Sequence, residues 1–188
     1  MKAVNDLTNC EECRYSASGG LMKQPISAPD KEARAFTVLD LENQCGGAEL
    51  VPQYAEVVRQ RFEDLGFEVP CQTVLAVGTR AMTLCPDLPF IFPHARLLCR
   101  GGLDGADKCL CEVLSTESTA ARSRYVVIGS GDRLFAEPAR KLREQGCTII
   151  VVAPRGSIHH ELYGVAHDVI HLDAVASQQQ NTELMGPA

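Results

Sequence analysis

Apolar residues in this chain fall into short dense runs, separated by stretches in which they recur every three to four positions. "RAFTVLDLEN" reads as a strand ending near Asp40, and "VPQYAEVVRQRFEDLG" sets Tyr54, Val57, Val58, Arg61 and Leu65 at helical spacing, with Gly66 as a C-terminal stop. "CQTVLAVG" predicts a second strand, "TRAMTLCPDLP" a short helix and "HARLLCRG" a third strand. "DGADKCLCEVLSTE" places Leu110 and Leu114 four apart, as an amphipathic helix requires. "RYVVIGSG" is a fourth strand and "RLFAEPARKLREQG" a helix closing at Gly146, in which Pro138 is tolerable only in the first turn or with a kink. "CTIIVVAP" is a fifth strand and "HDVIHLD" a short sixth.

Continuous rather than alternating apolar runs mark strands covered on both faces. With helices between them they predict an α/β fold, a three-layer α/β/α domain with a mostly parallel sheet, spanning residues 34–173. Residues 1–33, rich in Ser, Gly, Pro and charge, read as a flexible N-terminal arm, and 174–188 as a flexible C-terminal tail.

Composition narrows the class. The 188 residues suffice for one full core, and no apolar run approaches the ~18 needed to span a membrane. The opening "MKAVNDLTNCEEC" lacks the apolar core of a secretory signal, which predicts a cytoplasmic protein with no membrane partner. The nine cysteines are odd in number, and Cys71, Cys99 and Cys147 sit in apolar contexts, as reduced, buried thiols do. Cys10 and Cys13 have metal-ligand spacing but no second pair to complete a tetrahedral zinc site. A net charge of -6 argues against non-specific coating of DNA, though a local basic patch can still act in an acidic protein.

Ligands of doubly wound sheets bind outside the strand carboxyl ends, at the point where strand order reverses. Asp40 ends the first predicted strand, Asp132 follows the fourth, and Asp107 starts the helix between them. If the first and fourth strands are neighbours, the three share one crevice. Close carboxylate pairs repel by roughly 4 kcal/mol at an effective dielectric near 20, and a hard divalent cation offsets that repulsion. Taken singly, Asp132 and Asp107 also read as helix-capping acids, whereas an acid ending a strand, as Asp40 does, has no cap to make. Gly129-Ser130-Gly131 lacks the third glycine and the lysine of phosphate-cradling loops.

These segments resemble the NYN domains, a branch of the PIN-like ribonuclease fold. "VLDLENQ" is similar to the family's first-strand motif through Asp40 and Asn43, and "GADKCLCEVL" to its central motif through Asp107 and Leu110. "VVIGSGDRLFAEPARKLREQGCTIIVVAP" resembles the third motif, a strand, Ser-Gly-Asp, then a Lys-Leu helix and another strand. "AHDVIHL", with Asp168 near its start, resembles the last strand. The resemblance implies a PIN-like fold and a metal-dependent endoribonuclease. Asp40, Asp107 and Asp132 would be the catalytic residues holding Mg²⁺ or Mn²⁺, and a metal-activated water would attack RNA phosphodiesters in line. Asn43 would orient Asp40 or the water, and Ser130 would assist from the Ser-Gly-Asp loop. Glu42, two residues from Asp40, would share its face on a strand or stand as an edge acid.

One position departs from the family pattern. Where a second acid follows Ser-Gly-Asp, this chain has Leu134, which either faces the metal site or packs into the core as a first-turn helix residue. Asp104, three residues before Asp107, either substitutes for that acid or sits in a loop. Arg133, Arg100, Lys108, Arg80, Arg155, His159 and His160 are the candidates for the crevice mouth. The histidine pair is not assigned catalysis, because neighbours on a helix point about 100° apart. RNA is the expected partner, and the sequence leaves room for a homo-oligomer. The competing readings are a non-catalytic RNA-binding or protein-interaction module, with Leu134 marking lost activity, and a small-molecule phosphohydrolase.

Overall fold

The computed structural model describes residues 35–46, 49–67 and 72–173. The expected arm and tail, and with them Cys10, Cys13 and Cys71, lie outside the described residues. Six strands form one parallel sheet: β1 (Ala35–Asp40), β2 (Thr73–Val77), β3 (Arg96–Cys99), β4 (Tyr125–Gly129), β5 (Thr148–Pro154) and β6 (Asp168–Leu172), in the order β3-β2-β1-β4-β5-β6. Strand order reverses between β1 and β4, which pair directly, Leu39 opposite Gly129. The condition set by the sequence for the acids to meet is therefore satisfied.

Helices cover both faces because alternate residues of each central strand are apolar in both directions. Val38, Val74, Val126, Ile128 and Val151 pack with α5 (Gly105–Thr116), α7 (Ala136–Glu144) and α8 (His160–Val165) through Leu110, Leu142 and Leu162. Leu39, Leu75, Val127 and Ile150 pack on the other face with α2 (Pro52–Asp64), α3 (Thr79–Leu84) and α4 (Leu88–Ile91) through Val58, Phe62, Ala81 and Leu88. Each fully buried Leu, Val, Ile or Phe contributes roughly 1.5–3 kcal/mol relative to exposure. The three-layer α/β/α architecture is the one the sequence predicts.

Local departures have physical causes. The strand in "RAFTVLDLEN" stops at Asp40, and Leu41–Gln44 form a helical turn, α1. Leu41 and Gln44 are buried there, Gln44 donating through Nε2 to the Val152 carbonyl at 2.8 Å, so an extended continuation would forfeit both. The short turns α4 and α6 (Thr119–Arg122) are too brief to show a period, as is α8. Pro138 is the third residue of α7, where its missing N–H would have no partner in any case. Cys99 is exposed rather than buried, because β3 is an edge strand whose residues are all at least partly accessible. Cys147 is buried, as expected. Among the described residues no helix is long and apolar enough to cross a membrane.

Candidate active site

The end of β1 and the loop after β4 are bound together at the strand-order reversal. Asp40, only 4% exposed, caps α1: its Oδ1 accepts from the Asn43 amide at 3.1 Å. That cap is the local role the sequence reading did not find for it, since the helical turn was not foreseen. Its Oδ2 accepts from the Ser130 hydroxyl at 3.1 Å, and Ser130 Oγ in turn accepts from the Asp132 amide at 3.2 Å. Asn43 does not orient Asp40 through its side chain. Its Oδ1 accepts instead from the Gly131 amide at 3.0 Å, fastening one sheet half to the other. Gly131 is required by close packing, because a Cβ there would stand 2.3 Å from the Ser157 carbonyl oxygen.

Asp132 caps the 3₁₀ turn Arg133–Phe135, Oδ1 accepting from the Leu134 amide at 2.7 Å. The capping role and a place in the site are compatible, for Asp132 also lines the cleft described below. Asp107 rides the first turn of α5, which begins at Gly105 tight against β3, where a Cβ would stand 2.3 Å from the Arg100 carbonyl.

Asp40, Asp107 and Asp132 line one open cleft of about 400 Å³, together with Glu42, Asn43 and Asp104. Glu42 reaches it from α1 rather than from a strand face, and its Oε2 accepts from the Gly78 amide at 2.8 Å. Asp104 precedes α5 in a left-handed conformation, φ 53°, and approaches Lys108 at 3.9 Å. Gly78 and Thr79, after β2, also line the cleft and were not foreseen. The signal available was their position at a strand carboxyl end.

The electrostatics mark the pair Asp40 and Asp107. Burial, then the charge of Asp107 and a hydrogen bond with its carboxyl, push the Asp40 carboxyl up to about 8. Burial also raises Asp107, with the charges of Asp132, Asp104 and Glu42 adding to it and the bond to Asp40 opposing. The two carboxyls therefore titrate as a unit. Asp107 Oδ1 is buried without a hydrogen-bond partner, an arrangement that costs about 1–3 kcal/mol. Hard carboxylate oxygens, one of them orphaned, are the donor set a divalent cation takes.

Arg80 lines the cleft and pairs with Glu49 at 2.9 Å, whereas the other predicted cations stand outside its lining. Arg100 forks onto Glu112 at 2.8 and 2.9 Å, Arg133 meets Glu161 at 2.9 Å, and Arg155 lies 3.7 Å from Asp173. Leu134 is 41% exposed, so it does not pack into the core; Phe135 does. Asp168 opens β6 at the amino edge of the sheet, away from the strand ends that form the cleft. Cys111 is no nucleophile, because burial and then Asp107 and Asp132 push its thiol up to about 12.

His159 and His160 stack at 4.2 Å, contrary to the expectation that they point apart, because His159 is extended and precedes α8. With Glu161 they offer ligand atoms within 4.8 Å of one another. His159 Nδ1 already accepts from the Glu161 amide and Glu161 is paired with Arg133, so two of the three donors are engaged.

No family model matches the chain, and no curated protein matches it. Among solved structures it is similar to the YcaC gene product from Escherichia coli, an octameric hydrolase of unknown specificity, at 18% identity and a TM-score of 0.40. It is similar also to YcaC from Pseudomonas aeruginosa, solved with hexane-2,5-diol and covalent acrylamide, at 16% identity and a TM-score of 0.43. Each likeness covers 87% of this chain and 78% of the other. At these values nothing about chemistry passes from those proteins to this one.

Proposed function

We propose that this protein is a metal-dependent phosphodiesterase acting on RNA, an endoribonuclease of the NYN type. The observation that carries the reading is the facing pair Asp40 and Asp107, from β1 and α5, with Asp107 Oδ1 buried and unpartnered in a cleft at the strand-order reversal. Asp132 stands on the same cleft with Oδ2 outside its capping bond. A bound Mg²⁺ or Mn²⁺ would supply Lewis acidity and an activated water. Asp40, Asp107 and Asp132 would hold it. Ser130 orients Asp40 by donating to Oδ2, and Asn43 holds the Ser130–Asp132 loop against β1 through the Gly131 amide. Hydrolysis adds a water oxygen to phosphorus, breaks one P–O ester bond and leaves a proton on the departing oxygen.

A non-catalytic RNA-binding module is the second reading, favoured by Leu134 at the position of a usual acid. The two separate on cleavage of single-stranded RNA by purified protein in Mn²⁺. Metal-dependent cutting that Asp40→Asn abolishes is the expected result. Inert natural protein, together with an inert but folded Leu134→Asp variant, would replace the nuclease with the binding module.

A further inference from the structure

The cleft presents five carboxyls, on Asp40, Glu42, Asp104, Asp107 and Asp132; among its described lining residues Arg80 alone carries positive charge. Among the described residues, Arg80 and three of the cations expected at its mouth are already matched: Arg80 by Glu49, Arg100 by Glu112, Lys108 by Asp104 and Arg133 by Glu161. These pairs are exposed and individually weak, so a ligand can open any of them. Opening one moves the guanidinium or ammonium but leaves the carboxylate a few ångströms away, and the local charge does not change. Among the described residues, a polyanion threading the cleft would meet no unmatched cation in its lining.

We propose that the cleft takes a short phosphodiester, of one- or two-nucleotide reach, engaged at the scissile phosphate, and that flanking phosphates find no cationic track among the described residues. The inference rests on the phosphodiesterase reading and sets its substrate class: short oligonucleotides or exposed ends rather than long RNA held along its backbone.

Equilibrium binding tests it apart from turnover. Fluorescein-labelled oligouridine of about twenty nucleotides is titrated by anisotropy with and without Ca²⁺, from about 50 to 200 mM KCl, where each phosphate contact to a single strand contributes about 0.7 to the slope of log K against log salt. The natural protein is expected to show a slope worth about one phosphate or less. The triple variant Glu49→Gln, Glu112→Gln, Glu161→Gln frees three cations without touching the acids of the cleft. It is expected to bind about tenfold tighter at low salt, with a slope two to three phosphates steeper. In Mn²⁺ the dinucleotide UpU should be cut with a per-bond kcat/KM within about tenfold of the long oligomer, since flanking phosphates add no binding. A steep slope in the natural protein, a triple variant that gains nothing, or a hundredfold preference for the long oligomer, about 2.7 kcal/mol, would each overturn the proposal. Mn²⁺-induced thermal stabilisation separates the two levels: if it persists, only the substrate inference falls, and if it is absent, the metal reading falls with it.

Discussion

The Ser130 hydroxyl donates to Asp40 Oδ2 at 3.1 Å, joining residues ninety positions apart across the β1–β4 boundary. The same oxygen accepts from the Asp132 amide, so one side chain sets the spacing of two acids. Ser130→Ala leaves a buried carboxylate without one donor and an amide without its acceptor. Loss of about 1–3 kcal/mol in urea denaturation is expected, with weakened Mn²⁺ binding.

Stability should fall as pH rises. Asp40 holds its proton to about 8 in the folded protein, against 3.8 for an ordinary carboxyl. Between those values the fold binds more protons than the unfolded chain, so this contribution is complete below 3.8 and lost above about 8. Asp107 shifts in the same direction. Metal-free protein denatured by urea at a series of pH values should show the decline, and Asp40→Asn should flatten it. An equal decline in that variant would place its origin elsewhere.

Divalent metal should reverse the decline. At a Mn²⁺ concentration about a hundred times its dissociation constant, one site adds ~2.7 kcal/mol. Asp132→Asn should reduce the gain. An unchanged melting temperature across millimolar Mn²⁺ would count against a metal site.

Leu134 is 41% exposed, its amide donates to Asp132 and its carbonyl accepts from the Cys111 thiol. Leu134→Asp should therefore alter stability by no more than about 0.5 kcal/mol in the presence of Mn²⁺. An acid two residues after Asp132, added to the Asp40, Asp107 and Asp132 set, should strengthen metal binding and raise the cleavage rate. Calorimetric Mn²⁺ titration and an RNA cleavage assay check both. A loss of several kcal/mol would restore the core-packing view of this leucine.

Gly131→Ala should be among the most damaging single-methyl changes, because the new Cβ meets backbone rather than a movable side chain. About 1–3 kcal/mol is expected from overpacking, with loss of the Asn43 contact to the Gly131 amide. Thermal denaturation of the variant decides it.

The sheet and its two helical layers were legible because β1, β2, β4 and β5 are apolar at successive positions, which only two-sided burial explains. The membership of Asp40, Asp107 and Asp132 in one cleft was legible because each closes a strand or begins a helix turn. Glu42 was expected on a strand face or as an edge acid, because a single helical turn, α1, has too few residues to show a period. Cys99 was misjudged because an apolar run does not reveal whether its strand stands at the edge. The ion pairs that neutralise Arg100 and Arg133 were illegible, since Glu112 and Glu161 lie on other elements. Spacing along the chain carries no sign of such partners.

The site draws Asp40 from one side of the β1–β4 seam and Asp132 from the other, with Asp107 on a helix formed between them in the chain. No single strand or helix contains it. A nascent or partly opened chain, in which β4 has not closed on β1, holds these acids apart and fully hydrated, where they attract metal no better than scattered surface carboxylates. On the proposed reading, metal binding and hydrolysis would be properties of the completed sheet, lost wherever this one seam opens.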